Sequence, residues 1–192
     1  MVQINRHVKP YITPVSGAAS PIVRISIPGG GFCSGVVIDT KYILTAAHCV
    51  VGNNKMMFTE TFGIADEHQM HLTSALAYAV DRYRDVAILA GNFTEYATAI
   101  PDFSGRSSPK IKDQYVKSCG YPSGGGLYCS EFTLTGNSYF QLTGIGGMLI
   151  KGQSGGPVFD VVTGYVIGVN SAVANEGVLF GPILSLDEEF DL

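Results

Sequence analysis

Short runs of β-branched and aromatic residues recur along most of this chain, and turn-forming residues separate them. The sequence contains 24 glycines among its 192 residues, and short strands between frequent turns are typical of a β-barrel or a β-sandwich. The tail LSLDEEFDL, residues 184–192, is compatible with one short helix. We predict twelve strands, at 21–27, 33–39, 42–47, 55–60, 76–81, 85–90, 114–121, 127–136, 139–144, 156–161, 164–171 and 177–184.

The strands fall into two sets of six, with a segment of different composition between them. Residues 100–113 are rich in proline, serine, glycine and charge, as expected of a linker. We therefore predict an all-β chain of two six-stranded antiparallel barrels, at 21–99 and 114–192, after an N-terminal extension at 1–20.

Composition and charge exclude several classes of function. The net charge is −4 and no long basic run occurs, which argues against nucleic acid as a partner. No apolar stretch approaches the roughly 18 residues needed to span a bilayer, so no membrane partner is predicted. The first residues, MVQINRHVKPYITPV, also lack the continuous apolar stretch of a secretory signal.

The four cysteines, Cys33, Cys49, Cys119 and Cys129, form no Cys-x-x-Cys pair of the kind common in metal sites. We therefore predict no metal and no cofactor. An even count favours disulfides, with buried thiols as the alternative, and disulfides favour a secreted or virus-associated protein. Cys119 and Cys129 flank the turn GYPSGGGLY and could face each other across a hairpin.

The run KGQSGGPVFD, residues 151–160, places Ser154 among glycines that let the backbone approach a ligand closely. A serine nucleophile needs a base and an acid that orients the base. His48 in LTAAHCV and Asp85 in RDVAIL precede the serine, whereas His7, His68 and His71 lie in no such motif. The alternative, a Gly-x-Ser-x-Gly elbow, requires a following helix and a serine that comes first in the triad; both are missing here.

Together, LTAAHCV, RDVAIL and GQSGGP resemble the active-site motifs of the trypsin/chymotrypsin-like serine proteases, in that family's chain order. The resemblance implies a chymotrypsin-like double barrel and a serine endopeptidase that cleaves proteins or peptides through an acyl-enzyme. It assigns the triad to His48, Asp85 and Ser154, and the oxyanion hole to the amides of Gly152 and Ser154. It also implies a Cys33–Cys49 bridge.

The chain departs from the secreted digestive members at two places. Gln153 replaces the aspartate that pairs with a newly cleaved N-terminus there, and no Ile-Val-Gly-Gly segment is present. These departures, like the short spacings between triad residues, resemble compact bacterial and viral members and predict activity without zymogen cleavage. We expect the Gln153 side chain to bond neighbouring backbone groups; the alternative is that it points to solvent.

The resemblance also suggests the walls of a substrate pocket. Met148 lies near the position of the aspartate that binds lysine or arginine in trypsin-type members, and Asn170 lies near that of the histidine in several relatives that cleave after glutamate or glutamine. An uncharged residue is therefore expected before the scissile bond. A catalytically silent protein of the same fold, acting as a binding or particle component, is the alternative function. The predicted pocket residues are Met148, Leu149, Asn170, Ser171 and Val173.

Overall fold

The computed structural model describes residues 18–107, 114–123 and 125–192. The described chain forms two closed six-stranded antiparallel β-barrels and ends in one short helix, α1, at Leu186–Phe190. The first barrel comprises β1 (Ile22–Ser26), β2 (Phe32–Asp39), β3 (Tyr42–Thr45), β4 (Phe62–Ala65), β5 (Leu72–Asp81) and β6 (Val86–Gly91). The second comprises β7 (Tyr115–Gly120), β8 (Tyr128–Asn137), β9 (Leu142–Ile145), β10 (Pro157–Asp160), β11 (Val166–Ala174) and β12 (Gly177–Pro182).

The two barrels have the same strand order. Their rings run β1-β2-β3-β6-β5-β4 and β7-β8-β9-β12-β11-β10. Each barrel has its own apolar interior because alternate side chains of a strand point inward. Phe62 and Ile64 do so on β4, and Phe132 and Leu134 on β8. The all-β, chymotrypsin-like architecture expected from the sequence is confirmed.

A third apolar cluster joins the barrels. Val36, Leu44 and Ile88 of the first barrel are buried together with Phe159 and Val169 of the second. Burial of each such side chain contributes about 1.5–3 kcal/mol, so the cluster holds the barrels in a defined relation. Loops from both barrels meet at the edge of this interface.

The strand predicted at 55–60 is wrong. Lys55 has a left-handed backbone, with φ of 64°, and closes a turn in which the Gly52 amide donates to the Met56 carbonyl. Only an isolated bridge between Val51 and Met57 forms there. The fourth strand begins at Phe62 instead, because Phe62 and Ile64 supply the inward-facing pair that a barrel strand needs. The predicted C-terminal helix is present as α1.

Both cysteine pairs form disulfides, Cys33–Cys49 and Cys119–Cys129. The first joins β2 to the 3-10 turn at Ala47–Cys49. The second crosses the β7–β8 hairpin, where the two cysteines are direct register partners. Both predicted pairings are confirmed.

Two predicted segments lie largely or partly outside the described residues: the N-terminal extension at 1–20, of which only 18–20 are described, and the linker at 100–113, of which 108–113 are not. In the part of the chain that is described, no helix has the length and apolar character needed to cross a membrane.

Candidate active site

His48 and Asp85 meet at the edge of the first barrel. His48 lies in the 3-10 turn after β3, and Asp85 immediately precedes β6. Asp85 Oδ2 lies 2.8 Å from His48 Nδ1, and Asp85 Oδ1 accepts the His48 backbone amide at 2.9 Å. Because a carboxylate only accepts hydrogen bonds, Nδ1 carries the proton in the neutral ring. Nε2 is then left as the basic nitrogen.

The hydrogen bond from Asp85 also changes the acidity of His48. That bond raises the pKa of His48 above its ordinary value of 6.5, against the opposing effect of burial, and the charge of Asp85 adds to the increase. The imidazole is half exposed, with 48% of its side-chain surface accessible. The protonated ring is therefore stabilised, while the nitrogen facing away from Asp85 remains open to a reacting group.

Ser171 supplies a third contact to the carboxylate. Its hydroxyl donates to Asp85 Oδ2 at 2.6 Å, from β11 of the second barrel. The sequence predicts Ser171 as a substrate-pocket residue, and this contact with Asp85 was not predicted. No local motif signals it, because the two residues are 86 positions apart.

Ser154 lies on the loop before β10 and packs against the histidine turn. The Ser34 amide donates to the Ser154 carbonyl at 2.8 Å, and Cys49 Sγ lies 3.8 Å from the same oxygen. Gly155 allows this approach, since a Cβ at that residue would overlap Thr45 Oγ1 and the Ser34 carbonyl. Among the described residues no hydrogen bond joins the Ser154 hydroxyl to His48. Catalytic hydrogen bonds are often long without substrate.

The two predicted oxyanion donors, the amides of Gly152 and Ser154, lie on either side of Gln153 in the serine loop. Gly152 has a φ of 103°, which glycine adopts readily, and Ser34 Oγ donates to its carbonyl at 2.9 Å. Within the described ranges, the amides of Gly152 and Ser154 have no acceptor. Their N–H groups are therefore free to bind an anionic oxygen. Ser34, which anchors this loop, was not identified as a site residue from the sequence; its only signal was its place after Cys33.

Gln153 is fully buried, and both ends of its side-chain amide are bonded. Its Oε1 accepts the Ile150 amide at 2.6 Å, and its Nε2 donates to the Tyr128 carbonyl at 3.1 Å. The glutamine thus bonds one carbonyl and one N–H at once, the arrangement expected from the sequence. An uncharged side chain holds the loop from inside the second barrel.

The remaining predicted pocket residues differ in their exposure to solvent. Asn170 is completely buried, and its amide donates to the carbonyls of Cys119 and Gln153, both at 3.0 Å. Its side chain therefore supports the serine loop and does not face solvent. Met148 and Val173 are 57% and 66% exposed, and Leu149 packs on the core of the second barrel.

One cluster of potential metal ligands occurs among the described residues. Atoms of Cys33, His48 and Cys49 lie within 4.8 Å of one another. The two sulfurs are bonded to each other, so they are not the thiolates that metals require. His48 alone keeps a free ligand atom.

Comparisons with known proteins agree with the fold. Residues 33–169 match the family model of a trypsin-like peptidase domain. Among solved structures, the crystal structure of the serine endoprotease from Yersinia pestis superposes with a TM-score of 0.73 at 20% sequence identity. The match covers 98% of this chain but 65% of that chain, so this sequence spans about two thirds of that protein's length. No curated protein matches the chain.

Proposed function

Because the chain belongs to the family of trypsin-like peptidase domains, we propose that it is a serine endopeptidase with Ser154 as nucleophile, His48 as base and Asp85 as orienting acid. The observation that carries the proposal is the Asp85 carboxylate, which receives the His48 ring at 2.8 Å and the Ser171 hydroxyl at 2.6 Å. A carboxylate held from both barrels fixes one tautomer of the histidine, as nucleophilic catalysis by serine requires.

The reaction follows from these positions. His48 Nε2 takes the Ser154 hydroxyl proton as Oγ bonds to the peptide carbonyl carbon. The resulting oxyanion accepts hydrogen bonds from the amides of Gly152 and Ser154. His48 then returns the proton to the leaving amine as the C–N bond breaks, which leaves an acyl-enzyme. Water, deprotonated by His48, then bonds to the acyl carbon, and His48 gives that proton to Ser154 Oγ as the ester bond breaks and the acid is released.

The oxyanion amides account for a large part of the rate. One preorganised donor contributes about 3–4 kcal/mol in related chemistry. Here both donors belong to a loop that is fixed on each side. Ser34 Oγ bonds the Gly152 carbonyl, and Asn170 bonds the Gln153 carbonyl.

The proposed enzyme is active without cleavage of a precursor. In cleavage-activated relatives, a charged aspartate beside the serine pairs with a new N-terminal amine. The neutral amide of Gln153 instead bonds Ile150 and Tyr128 within the second barrel. The loop therefore needs no incoming charge to hold its donors in place.

The substrate is a protein or peptide with an uncharged residue before the scissile bond. This rests on two of the predicted pocket residues, Met148 and Val173, whose apolar side chains are exposed. Neither offers an ionic partner for lysine, arginine, aspartate or glutamate.

The test is cleavage-site profiling on a peptide library together with labelling by a fluorophosphonate probe. The native protein should react with the probe and cut after uncharged residues. Ser154→Ala should abolish both reactions while keeping the fold, because the triad acts as a unit. Failure of the native protein to label under varied pH would point to the catalytically silent alternative, and retained hydrolysis in Ser154→Ala would exclude Ser154 as nucleophile.

A further inference from the structure

Arg84, the residue before Asp85, is the largest fully buried side chain in the described chain. Its Nε donates to Asp81 Oδ2 at 3.1 Å, and its Nη2 donates to Glu189 Oε1 at 2.9 Å. Its Nη1 donates to the carbonyl of Leu184 at 2.7 Å and, at 3.4 Å, to that of Pro182. All three guanidinium nitrogens are thus engaged.

These bonds connect the two barrels. Asp81 ends β5 of the first barrel, whereas Pro182 ends β12 of the second and Glu189 lies on α1. The ring of Tyr139, from the β8–β9 turn, covers the guanidinium at 4.5 Å. The Arg84 side chain therefore bonds the β5–β6 turn, which carries the Asp85 carboxylate, to β12 and α1, in addition to the direct bond from Ser171 to Asp85.

The backbone beside Arg84 is equally constrained. Asp85 has a φ of 57°, a left-handed conformation that non-glycine residues adopt only when the surroundings hold them there. Gly181 of β12 lies directly against it, since a Cβ at that glycine would contact the Arg84 carbonyl and lie 3.2 Å from the Asp85 carbonyl. Both β12 and the acceptors of the Arg84 side chain therefore constrain the β5–β6 turn.

We propose that Arg84 is a positioning residue that fixes Asp85 against His48 by tying the β5–β6 turn to the second barrel. The predicted effect on kcat rests on the proposed function, whereas the predicted effect on the Asp85–His48 contact does not. Asp85 receives Ser171 from β11 directly and is held by β12 and α1 through Arg84. Loss of the Arg84 contacts frees the turn to relax from its left-handed backbone, which lengthens the bond to His48.

The alternative is that Arg84 only stabilises the fold. A buried ion pair of that kind affects how much protein is folded, but it does not affect the properties of each folded active site. Two measurements separate the roles: kcat per labelled active site, titrated with the fluorophosphonate, and the pKa of His48 followed by NMR of its ring protons.

The experiment compares Arg84→Lys and Arg84→Met with Arg82→Lys and Arg82→Met. Arg82 lies on the same turn but is exposed, and among the described residues its guanidinium bonds the Lys55 carbonyl alone. Lysine keeps the charge of Arg84 but cannot reach its separate acceptors at once. We expect both Arg84 variants to lose on the order of 10²-fold in kcat per site with KM unchanged, and the Arg82 variants to match the native enzyme.

The direction of the His48 pKa shift is decisive. Loss of the positive charge in Arg84→Met would by itself raise the pKa of His48, because nearby positive charge disfavours the protonated ring. Displacement of Asp85 would lower it towards 6.5, since the Asp85 hydrogen bond is the main cause of its increase. The charged groups that face Arg84 are Asp81 and Glu189, and both remain in every variant.

A lowered His48 pKa in both Arg84 variants supports positioning. The proposal is overturned if the Arg84 variants lose thermal stability while kcat per site is unchanged and the His48 pKa is unchanged or raised. If Arg84→Met does not fold, the charge-preserving Arg84→Lys gives the same comparison. A native protein that neither labels nor hydrolyses would contradict the proposed function, yet the His48 titration would still decide whether Arg84 holds Asp85.

Discussion

At the scale of single residues, two aspartate–histidine pairs of the first barrel make the same two contacts, although the carboxylate lies closer to the ring nitrogen in the pair of Asp85 and His48. Asp85 accepts the backbone amide of His48 and contacts its Nδ1, and Asp66 does the same with His71 at 2.8 and 3.4 Å. Only the first pair adjoins the serine loop. Asp66 and His71 lie near Tyr96, whose hydroxyl donates to the His71 carbonyl at 2.5 Å. The second pair therefore provides an internal control for the first.

The pH dependence of hydrolysis should follow His48. Its pKa is raised above 6.5, mainly by the Asp85 hydrogen bond, and only the neutral ring accepts the serine proton. Activity should therefore rise with pH through a midpoint above 6.5. Asp85→Asn should lower kcat roughly 10⁴-fold, as loss of this carboxylate does in related triads, and shift the His48 pKa downwards.

Asp66→Asn is the matched control for that prediction. It should leave both the pH–rate profile and kcat close to native, measured with the same peptide substrate. If Asp66→Asn were the damaging change and Asp85→Asn the tolerated one, Asp85 would not be the orienting acid.

Gln153→Glu should make stability depend on pH. A glutamate there would face the Tyr128 carbonyl in a fully buried position, which raises its pKa above the ordinary value of about 4.3. The folded state would then bind the proton more tightly than the unfolded state. The variant should thus be near native at low pH and lose about 1–3 kcal/mol as pH rises through the raised pKa.

Denaturant unfolding of Gln153→Glu across the pH range checks this, with Gln141→Glu as control because residue 141 is exposed on the β8–β9 turn. A stability difference that stays constant with pH in Gln153→Glu would mean that the residue 153 side chain turns to solvent.

At the scale of elements, the serine loop is shaped by the surfaces that it contacts. It is bonded to β2 through Ser34 and to β11 through Asn170. It also packs against the residues that lead into the histidine turn. Where the serine loop crosses these residues, there is no room for a side chain. A glycine can therefore be required for lack of space or for its left-handed backbone, and the two requirements can be tested separately.

Gly155 and Gly146 make that separation possible. Both have positive φ, 86° and 101°, but a Cβ at Gly155 would overlap Thr45 Oγ1, whereas Gly146 has nothing within 4 Å. Gly146→Ala should therefore cost only the backbone strain, about 1–2 kcal/mol. Gly155→Ala should cost roughly 1–3 kcal/mol more through overpacking and should also lower kcat, because it moves Ser154 away from His48.

Chemical unfolding and kcat of the two alanine variants provide the measurement. Equal losses of stability and unchanged kcat would show that the contact with Thr45 does not position the loop.

At the scale of the whole molecule, the residues of the proposed site come from both barrels and lie where the barrels meet. His48 and Asp85 come from the first barrel, and Ser154 and Ser171 from the second. The shared apolar cluster with Val36, Leu44 and Val169 holds the barrels together. The hydrogen bonds of Arg84 also join the barrels, at the β5–β6 turn that carries Asp85.

The chain that begins at Met1 should be active without trimming, because Gln153 holds the serine loop by neutral hydrogen bonds. Three forms should be compared by rate after their masses are verified: the chain from Met1, a chain from Ala18 and a chain from Ile22. Ala19 bonds the first barrel through Glu95 and Ala97. We therefore expect the first two forms to have equal activity and the third to be less stable, with no gain in rate. Activity that appears only after trimming would reveal a zymogen switch.

Local patterns in the sequence were sufficient for the two barrels, the motifs around His48, Asp85 and Ser154, and the Cys119–Cys129 pair. Strand alternation, turn residues and a hairpin act over a few positions, so a single sequence carries them. The same reasoning misplaced β4, because turns such as that at Lys55 depend on backbone conformation that side-chain type does not dictate.

Only the tertiary structure decided the contacts that join distant positions. Ser171 reaches Asp85 across 86 residues, Ser34 reaches Gly152 across 118, and Arg84 reaches Glu189 across 105. Each joins two side chains, or a side chain and a backbone carbonyl, that come together only when the barrels pack. Residue type alone could not single out these three, because serine and arginine are ordinary surface residues. Burial against specific acceptors gives them their roles.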